Sequence, residues 1–403
     1  MPALLLAAAL LLSGCSLYEA EYTYSEPYSG AIVSVGGNAA EVRNLSMLKS
    51  ALLNLISAHA ETGSLSFQHY SGSAVDDLAA VCLEVRTENP LGAYAVDAIS
   101  YDTSRIVSYY IADVSISYKR TAEEIRSIQE VFSREEMEEK LRAAMESFNQ
   151  KLLLRVYSAG VDDSYFPALA RELYFADPTA TIVEPEISVE SYPDEGANRI
   201  YALTLRYGRA VSILPDKVRR LRAAVAELAA DAPDGTDAAR ALWCARTLYD
   251  LLQSGTEPEG AYAQTAYGAL VERSADSLGT ALAMQALCTA VGVECRVVEG
   301  SAGSMGAERH YWNILTADGE TGHTDVTTFG AQRPVFLLPD DSLWGTYIWD
   351  TAAYPACAGT ARYDTLFPER QEEPAPDPAP DAPEASPAPP EESAPPQSEN
   401  PQN

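Results

Sequence analysis

The apolar positions divide the chain into periodic stretches. From Leu48 to Ala60, and again from Met137 to Phe148, apolar residues return every three or four positions, the spacing of a one-sided helix. Each stretch leads into a strand-like run ending in Tyr-Ser: Phe67 to Ser71 with Tyr70, and Leu153 to Ser158 with Tyr157. Asp76-Asp77 and Asp162-Asp163 come next, then a Ser-Tyr turn at Tyr101 and Tyr192, then a closing strand ending at Tyr118 and Tyr207. The tyrosine offsets of 87, 91 and 89 residues are nearly constant, so residues 46–121 and 137–210 read as two copies of one small α+β module. The closing strands alternate cleanly, with Val114, Ile116 and Tyr118 on one face, and Leu203, Leu205 and Tyr207 likewise.

A different pattern follows. Pro215-Asp216 opens a helix with Asp216 as expected N-cap and Val218, Leu221, Val225 and Leu228 on one side. After Pro233-Asp234-Gly235 a second helix carries Leu242, Ala245, Tyr249 and Leu252. The stretch from Ser277 to Cys288 is an Ala/Leu-rich helix that Gly292 ends before a β run reaching Gly300. Beyond residue 367 the periodicity vanishes. Residues 371–403 hold 11 prolines, eight acidic residues and no Lys or Arg, so residues 368–403 are expected to be a disordered tail.

Composition narrows the picture. At about 100–200 residues per domain, 403 residues suggest two or three domains, and 47% hydrophobic content supplies their cores. The 28 basic residues against 58 acidic ones give a net charge of −30, which argues against a nucleic-acid partner because phosphate contacts require a basic face. Past the first dozen residues no run is apolar enough to form a spanning helix. Tyrosine outnumbers phenylalanine 23 to 8, which suits half-buried strands that need an apolar ring and a wet hydroxyl.

The N-terminus carries an address. Leu4 to Leu12 form a short apolar run ending in Leu12-Ser13-Gly14-Cys15, which resembles the bacterial lipoprotein lipobox, although no Lys or Arg precedes the run. That resemblance implies a signal peptide over 1–14 and lipidation of Cys15. It also implies a membrane partner through that anchor and an extracytoplasmic location, with residues 15–45 forming a linker and the start of the first module. Five cysteines remain, an odd number spread over a long chain and no disulfide framework. Cys288 and Cys295 either pair or stand as small apolar residues at a helix end and a strand start.

The candidate chemistry lies late in the chain: Ser277-Leu-Gly279-Thr-Ala281, then His310-Tyr311-Trp312-Asn313, then His323-Thr324-Asp325-Val326-Thr327. These three motifs, over about residues 236–330, resemble the bacterial transglutaminase-like superfamily, whose core is papain-like α+β. In that family a Cys opens the central helix in a C-x-G-[aromatic]-A pattern, H-x-W-N supplies the His, and a strand before a Thr supplies the Asp. The resemblance implies that His310 and Asp325 are two members of a triad and that residues 216–367 form the domain. It departs at the nucleophile, where Ser277 stands in place of Cys. Cys288 cannot substitute, because eleven residues of helix put it ~16 Å further along the axis.

The resemblance implies no cofactor. It is compatible with a pseudoenzyme that binds peptide-like or cell-wall ligands, and with a Ser277-His310-Asp325 hydrolase or acyltransferase. Blander roles compete: Ser277 as the N-cap of its helix, His310 and Asp325 as a hydrogen-bonded pair tying two strands, or His310, His323 and Asp325 around a metal.

Overall fold

The computed structural model describes residues 39–157, 160–255, 260–303 and 308–359. Cys15, the signal peptide and the acidic tail lie outside them. The fold class is α+β, built on three four-stranded sheets.

The first sheet takes β1 (Ala40–Glu41), β2 (Thr62–Ser66), β3 (Val96–Ile106) and β4 (Tyr109–Tyr118) in the order β1-β2-β4-β3, with β1 parallel to β2. Helices α1 (Leu45–Ser57), α2 (Ala74–Thr87) and α3 (Pro90–Ala95) connect its strands. A short α4 (Ala122–Arg126), closed by a Thr121/Glu124 capping box, leads to the second sheet. There β5 (Gln129–Val131), α5 (Arg134–Glu146), β6 (Lys151–Tyr157), α6 (Tyr165–Ala176), β7 (Glu186–Tyr192) and β8 (Asn198–Arg206) give the order β5-β6-β8-β7, again with its first strand parallel to its second.

The repetition extends to single atoms. The Tyr118 hydroxyl donates to the carbonyls of Leu55 (3.3 Å) and Ala60 (2.8 Å). Tyr207, 89 residues later, donates to those of Ala144 (3.5 Å) and Asn149 (3.2 Å). Each tyrosine thus ties a helix-end carbonyl, which already accepts a backbone N–H (Ala60 to Leu55, Asn149 to Ala144, both 2.9 Å), to a carbonyl in the chain that follows the helix. Beside them His59 and Phe148 both adopt a left-handed φ of 53°, a conformation costing roughly 1–2 kcal/mol for a non-glycine residue. Each ring packs on its tyrosine, at 4.0 Å and 5.3 Å between centroids.

Several sequence expectations shift. The strand expected at Phe67 to Ser71 lies earlier, at Thr62–Ser66, because His69 turns left-handed (φ 57°) and breaks the extension. Tyr101 sits inside β3 opposite Val114, not in a turn. The second copy begins at β5, before residue 137, because a three-residue strand leaves no readable period.

The third unit opens with α7 (Leu214–Ala230), which starts ahead of Asp216, so that residue lies in the first turn and is not the cap. α8 (Asp237–Gln253) follows, capped by Thr236. A π-helical turn at Gly268–Glu272 precedes α9 (Ser277–Ala290). Every residue of α9 from Gly279 to Cys288 is buried, as expected for a helix apolar on all sides. It packs on a sheet of β9 (Glu294–Ala302), β10 (Glu308–Ala317), β11 (Glu320–Thr324) and β12 (Tyr347–Trp349), antiparallel throughout in the order β11-β10-β9-β12. A one-turn α10 (Asp340–Leu343) lies between β11 and β12.

The second module and this unit share one continuous core, while Leu153 and Ile200 of the second module enter the core of the first. Arg171 on α6 bridges Glu184 (3.0 Å) and Glu299 on β9 (2.6 Å). Gln285 on α9 donates to the Phe175 carbonyl at 2.6 Å.

Candidate active site

Ser277 is the first residue of α9, and the cap before it is Asp276, whose carboxylate accepts from the Gly279 N–H at 3.1 Å. The N-cap role open to Ser277 in the sequence therefore belongs to its neighbour. The positive end of the helix already faces a carboxylate. Ser277 is half-buried, and among the described residues its hydroxyl makes no hydrogen bond. Gly279 explains its own identity: a Cβ there would stand 2.2 Å from the Ala263 carbonyl oxygen and 3.0 Å from the Thr265 nitrogen. Only glycine lets the start of α9 lie that close to the preceding segment.

Asn313 sets the helix against the sheet, its side-chain amide donating to the Ala281 carbonyl at 2.9 Å. Ser277 lies one helical turn before Ala281, and His310 three residues before Asn313. Both therefore occupy the same end of the helix–sheet layer, while buried Cys288 and Cys295 occupy the other. No hydrogen bond joins Ser277 to His310.

His310 and Asp325 do meet, with Nε2 to Oδ2 at 2.7 Å. The same Oδ2 accepts from the Tyr347 hydroxyl on β12 at 2.7 Å, and Oδ1 accepts from the Thr327 N–H (3.0 Å) and hydroxyl (2.6 Å). Burial pushes the Asp325 carboxyl upward, but bonds from His310, Thr327 and Tyr347 together with the His310 charge outweigh it and hold it below the usual range. A carboxylate that only accepts fixes the proton of His310 on Nε2, which leaves Nδ1 to face a reacting group. Tyr347 is raised, by burial first and by the Asp325 charge second, so it stays a donor. The pair does tie strands together, and Tyr347 adds a third.

His323 belongs to a different network. It is fully buried, accepts from the Trp312 indole N–H on Nδ1 (3.0 Å) and meets Asp340 Oδ1 through Nε2 (2.8 Å). Indole is a donor only, so Nδ1 holds a lone pair and Nε2 carries the proton. Burial, only partly offset by Asp340, lowers its pKa and keeps it neutral. The set of His310, His323 and Asp325 is thus divided between two partners and forms no metal centre. His323, Asp340 and Cys357 place ligand atoms within 4.8 Å of one another, but with Trp312 on one nitrogen and a proton on the other His323 has no lone pair to give.

All five cysteines among the described residues are free and buried. The Cys244 thiol is raised by its hydrogen bond with Cys288 and by burial. Cys288 is pulled down by Cys244, but Cys295 and burial outweigh that and leave it well above its ordinary value. Burial lifts Cys82 to about 11.

Three contributors escaped sequence reasoning. Asp276 competes with Ser277 for the cap and gives no separate signal, whereas Tyr347 and Asp340 act across 22 and 17 residues respectively. Asn313 was visible as the last letter of its motif, but its partner was not.

No protein-family model matches the chain, and no curated protein matches it. Among solved structures it is similar to a TGase, at 10% identity and a TM-score of 0.26, over 56% of this chain and 66% of that one. It is also similar to a candidate protease from Parabacteroides distasonis, at 11% identity and a TM-score of 0.19, over 55% of this chain and 47% of that one. The chain spans less than two thirds of either relative. Overlaps this shallow leave the functional reading to the residues themselves.

Proposed function

We propose that the C-terminal unit is a transglutaminase-like domain that has lost thiol chemistry and acts as a binding module for peptide-like or cell-wall ligands. In this reading the protein is anchored outside the cytoplasmic membrane by a lipid on Cys15. The observation that carries it is the pairing of Ser277 with Asp276 at the start of α9. An acyl-transfer site needs a nucleophile and free N–H donors where negative charge develops. Here the nucleophile is a weakly acidic hydroxyl, and a carboxylate already takes the Gly279 N–H and sets a negative charge beside it.

The test is turnover of glutamine-containing peptides, with and without an amine acceptor, by the full chain. No turnover is expected from the native protein. The doubly substituted Ser277→Cys, Asp276→Gly protein should gain thiol-dependent activity, because glycine replaces a cap at a cost of only a few tenths of a kcal/mol. Turnover by the native chain that disappears in Ser277→Ala would overturn the reading. Incorporation of a palmitate analogue that is lost in Cys15→Ser tests the anchor.

The orientation of His310 favours a second reading, a serine hydrolase or acyltransferase. Asp325 fixes the proton on Nε2, so Nδ1 would take the Ser277 proton as Oγ attacks a carbonyl, then return it to the leaving group. A fluorophosphonate probe separates the two: labelling of Ser277 supports the hydrolase, and an unlabelled folded protein supports the binding module.

A further inference from the structure

The duplication provides an internal comparison at its closing strands. Arg120 follows Tyr118 by two residues, as Arg209 follows Tyr207. In the second copy Arg209 is used for docking: it donates to the carbonyls of Gly208 (2.9 Å) and Ala261 (2.7 Å) and lies over the Tyr262 ring at 5.6 Å. The first copy keeps the arginine without those acceptors. Arg120 makes one side-chain hydrogen bond, to the Tyr192 hydroxyl at 3.0 Å, with the Tyr94 ring 5.0 Å from its guanidinium carbon. Its Nε is buried and has no hydrogen-bond partner, and Glu190 at 3.6 Å is an ion-pair neighbour beyond hydrogen-bond reach. A guanidinium offers five N–H donors in a planar fork, and most of this fork is unspent.

That fork borders a cleft of about 490 Å³ where the two modules meet. The volume falls within the range of small-molecule sites, roughly 300–1,000 Å³. Its charged lining is balanced, with Arg120 and Lys151 against Glu124 and Glu190. A polyanion would be set against two carboxylates there, and a simple cation against two basic groups. A ligand carrying one charge of each sign suits both.

We propose that this cleft binds a zwitterion, a free amino acid or short peptide, with its carboxylate on the Arg120 fork and its ammonium toward Glu190. Glu190 Oε2 accepts from the Tyr192 hydroxyl at 2.7 Å, and the side chain is 65% exposed, which leaves Oε1 accessible to such a group. The pair of arginines then shows one inherited residue in two uses, docking a domain in the second copy and holding a ligand in the first.

The test is calorimetric titration of the full chain with L-alanyl-L-alanine and the twenty free amino acids. The best binder is then compared with its N-acetyl and C-amide forms. Saturable binding of at least one zwitterion is expected, weakened about tenfold or more when either charge is blocked, the scale of one charge-assisted contact. Arg120→Lys and Glu190→Gln should each weaken it by a similar factor while the unfolding temperature holds. Arg209→Lys should leave it unchanged. The proposal is overturned if no member of the panel binds with a Kd below ~10 mM. It is equally overturned if binding survives Arg120→Lys intact, or if Arg209→Lys weakens it as much.

Discussion

Asp325 is the most heavily engaged polar side chain of the candidate site, and its removal can be followed bond by bond. Its two oxygens accept four hydrogen bonds. Thr327 is exposed, so water can replace the acceptor for its two donors after Asp325→Ala. The Tyr347 hydroxyl and the His310 N–H lie in buried or half-buried positions and are stranded. Leaving a buried donor unpaired costs about 1–3 kcal/mol, so Asp325→Ala should destabilise the protein by about 3 kcal/mol. Asp325→Asn should cost only about 1 kcal/mol, because both stranded groups can adapt. Tyr347 can rotate its hydroxyl to accept from the new amide, and His310 can move its proton to Nδ1. Guanidinium unfolding followed by tryptophan fluorescence measures the first effect, and imidazole ¹⁵N shifts measure the second. An alanine variant losing less than ~1 kcal/mol, or an asparagine variant that keeps the proton on Nε2, would refute this account of the pair.

The same carboxylate has a pH signature. Its folded pKa is lowered, so its contribution is fully present above the ordinary aspartate value of ~3.9 and is lost as pH falls through the lower folded value. The stability difference between native protein and Asp325→Asn should therefore shrink on acidification below about pH 4.

Other outcomes follow from single contacts. Gly279→Ala should cost about 2–3 kcal/mol in chemical denaturation, since the new methyl meets backbone, which cannot rotate away. Trp312→Phe removes the indole donor to His323 Nδ1 and should cost about 3 kcal/mol, with the His323 ¹⁵N spectrum no longer locked in one tautomer. Tyr118→Phe and Tyr207→Phe should each cost about 1 kcal/mol, and the near-equality of the two losses is the point of comparison.

Much of this molecule was legible because it is periodic. α8, α9 and the closing strands β4 and β8 carry long apolar patterns, which show the start of α9 and, to within a residue, the ends of β4 and β8. What escaped was short or distant. β1 and β5 are too brief to show alternation, and each takes its direction from a parallel neighbour about 25 residues away. Around Ser277 the difficulty was degeneracy, because Asp and Ser are both good caps and stand side by side. Only the direction of the Asp276 side chain decides between them. His310 and Asp325 were found by motif, but Tyr347, whose hydroxyl completes the carboxylate, precedes no recognisable pattern.

Tyr347 also gives the site a position in time. The sheet places β12 at one edge and β11, which delivers Asp325, at the other, yet the tyrosine reaches the carboxylate. Chains emerge and fold from the N-terminus, at about 5–20 residues per second. The two α+β modules can be finished while His310 and Asp325 have only just been synthesised. Their carboxylate stays partly unsatisfied until residue 347 has become available and the far edge strand has docked. Chain order thus makes the candidate site one of the later parts of the described molecule to be sealed, ahead of the Tyr354 and Cys357 contacts with Glu299 and Asp340, and a chain stalled shortly before Tyr347 would carry His310 and Asp325 without a finished place to hold them.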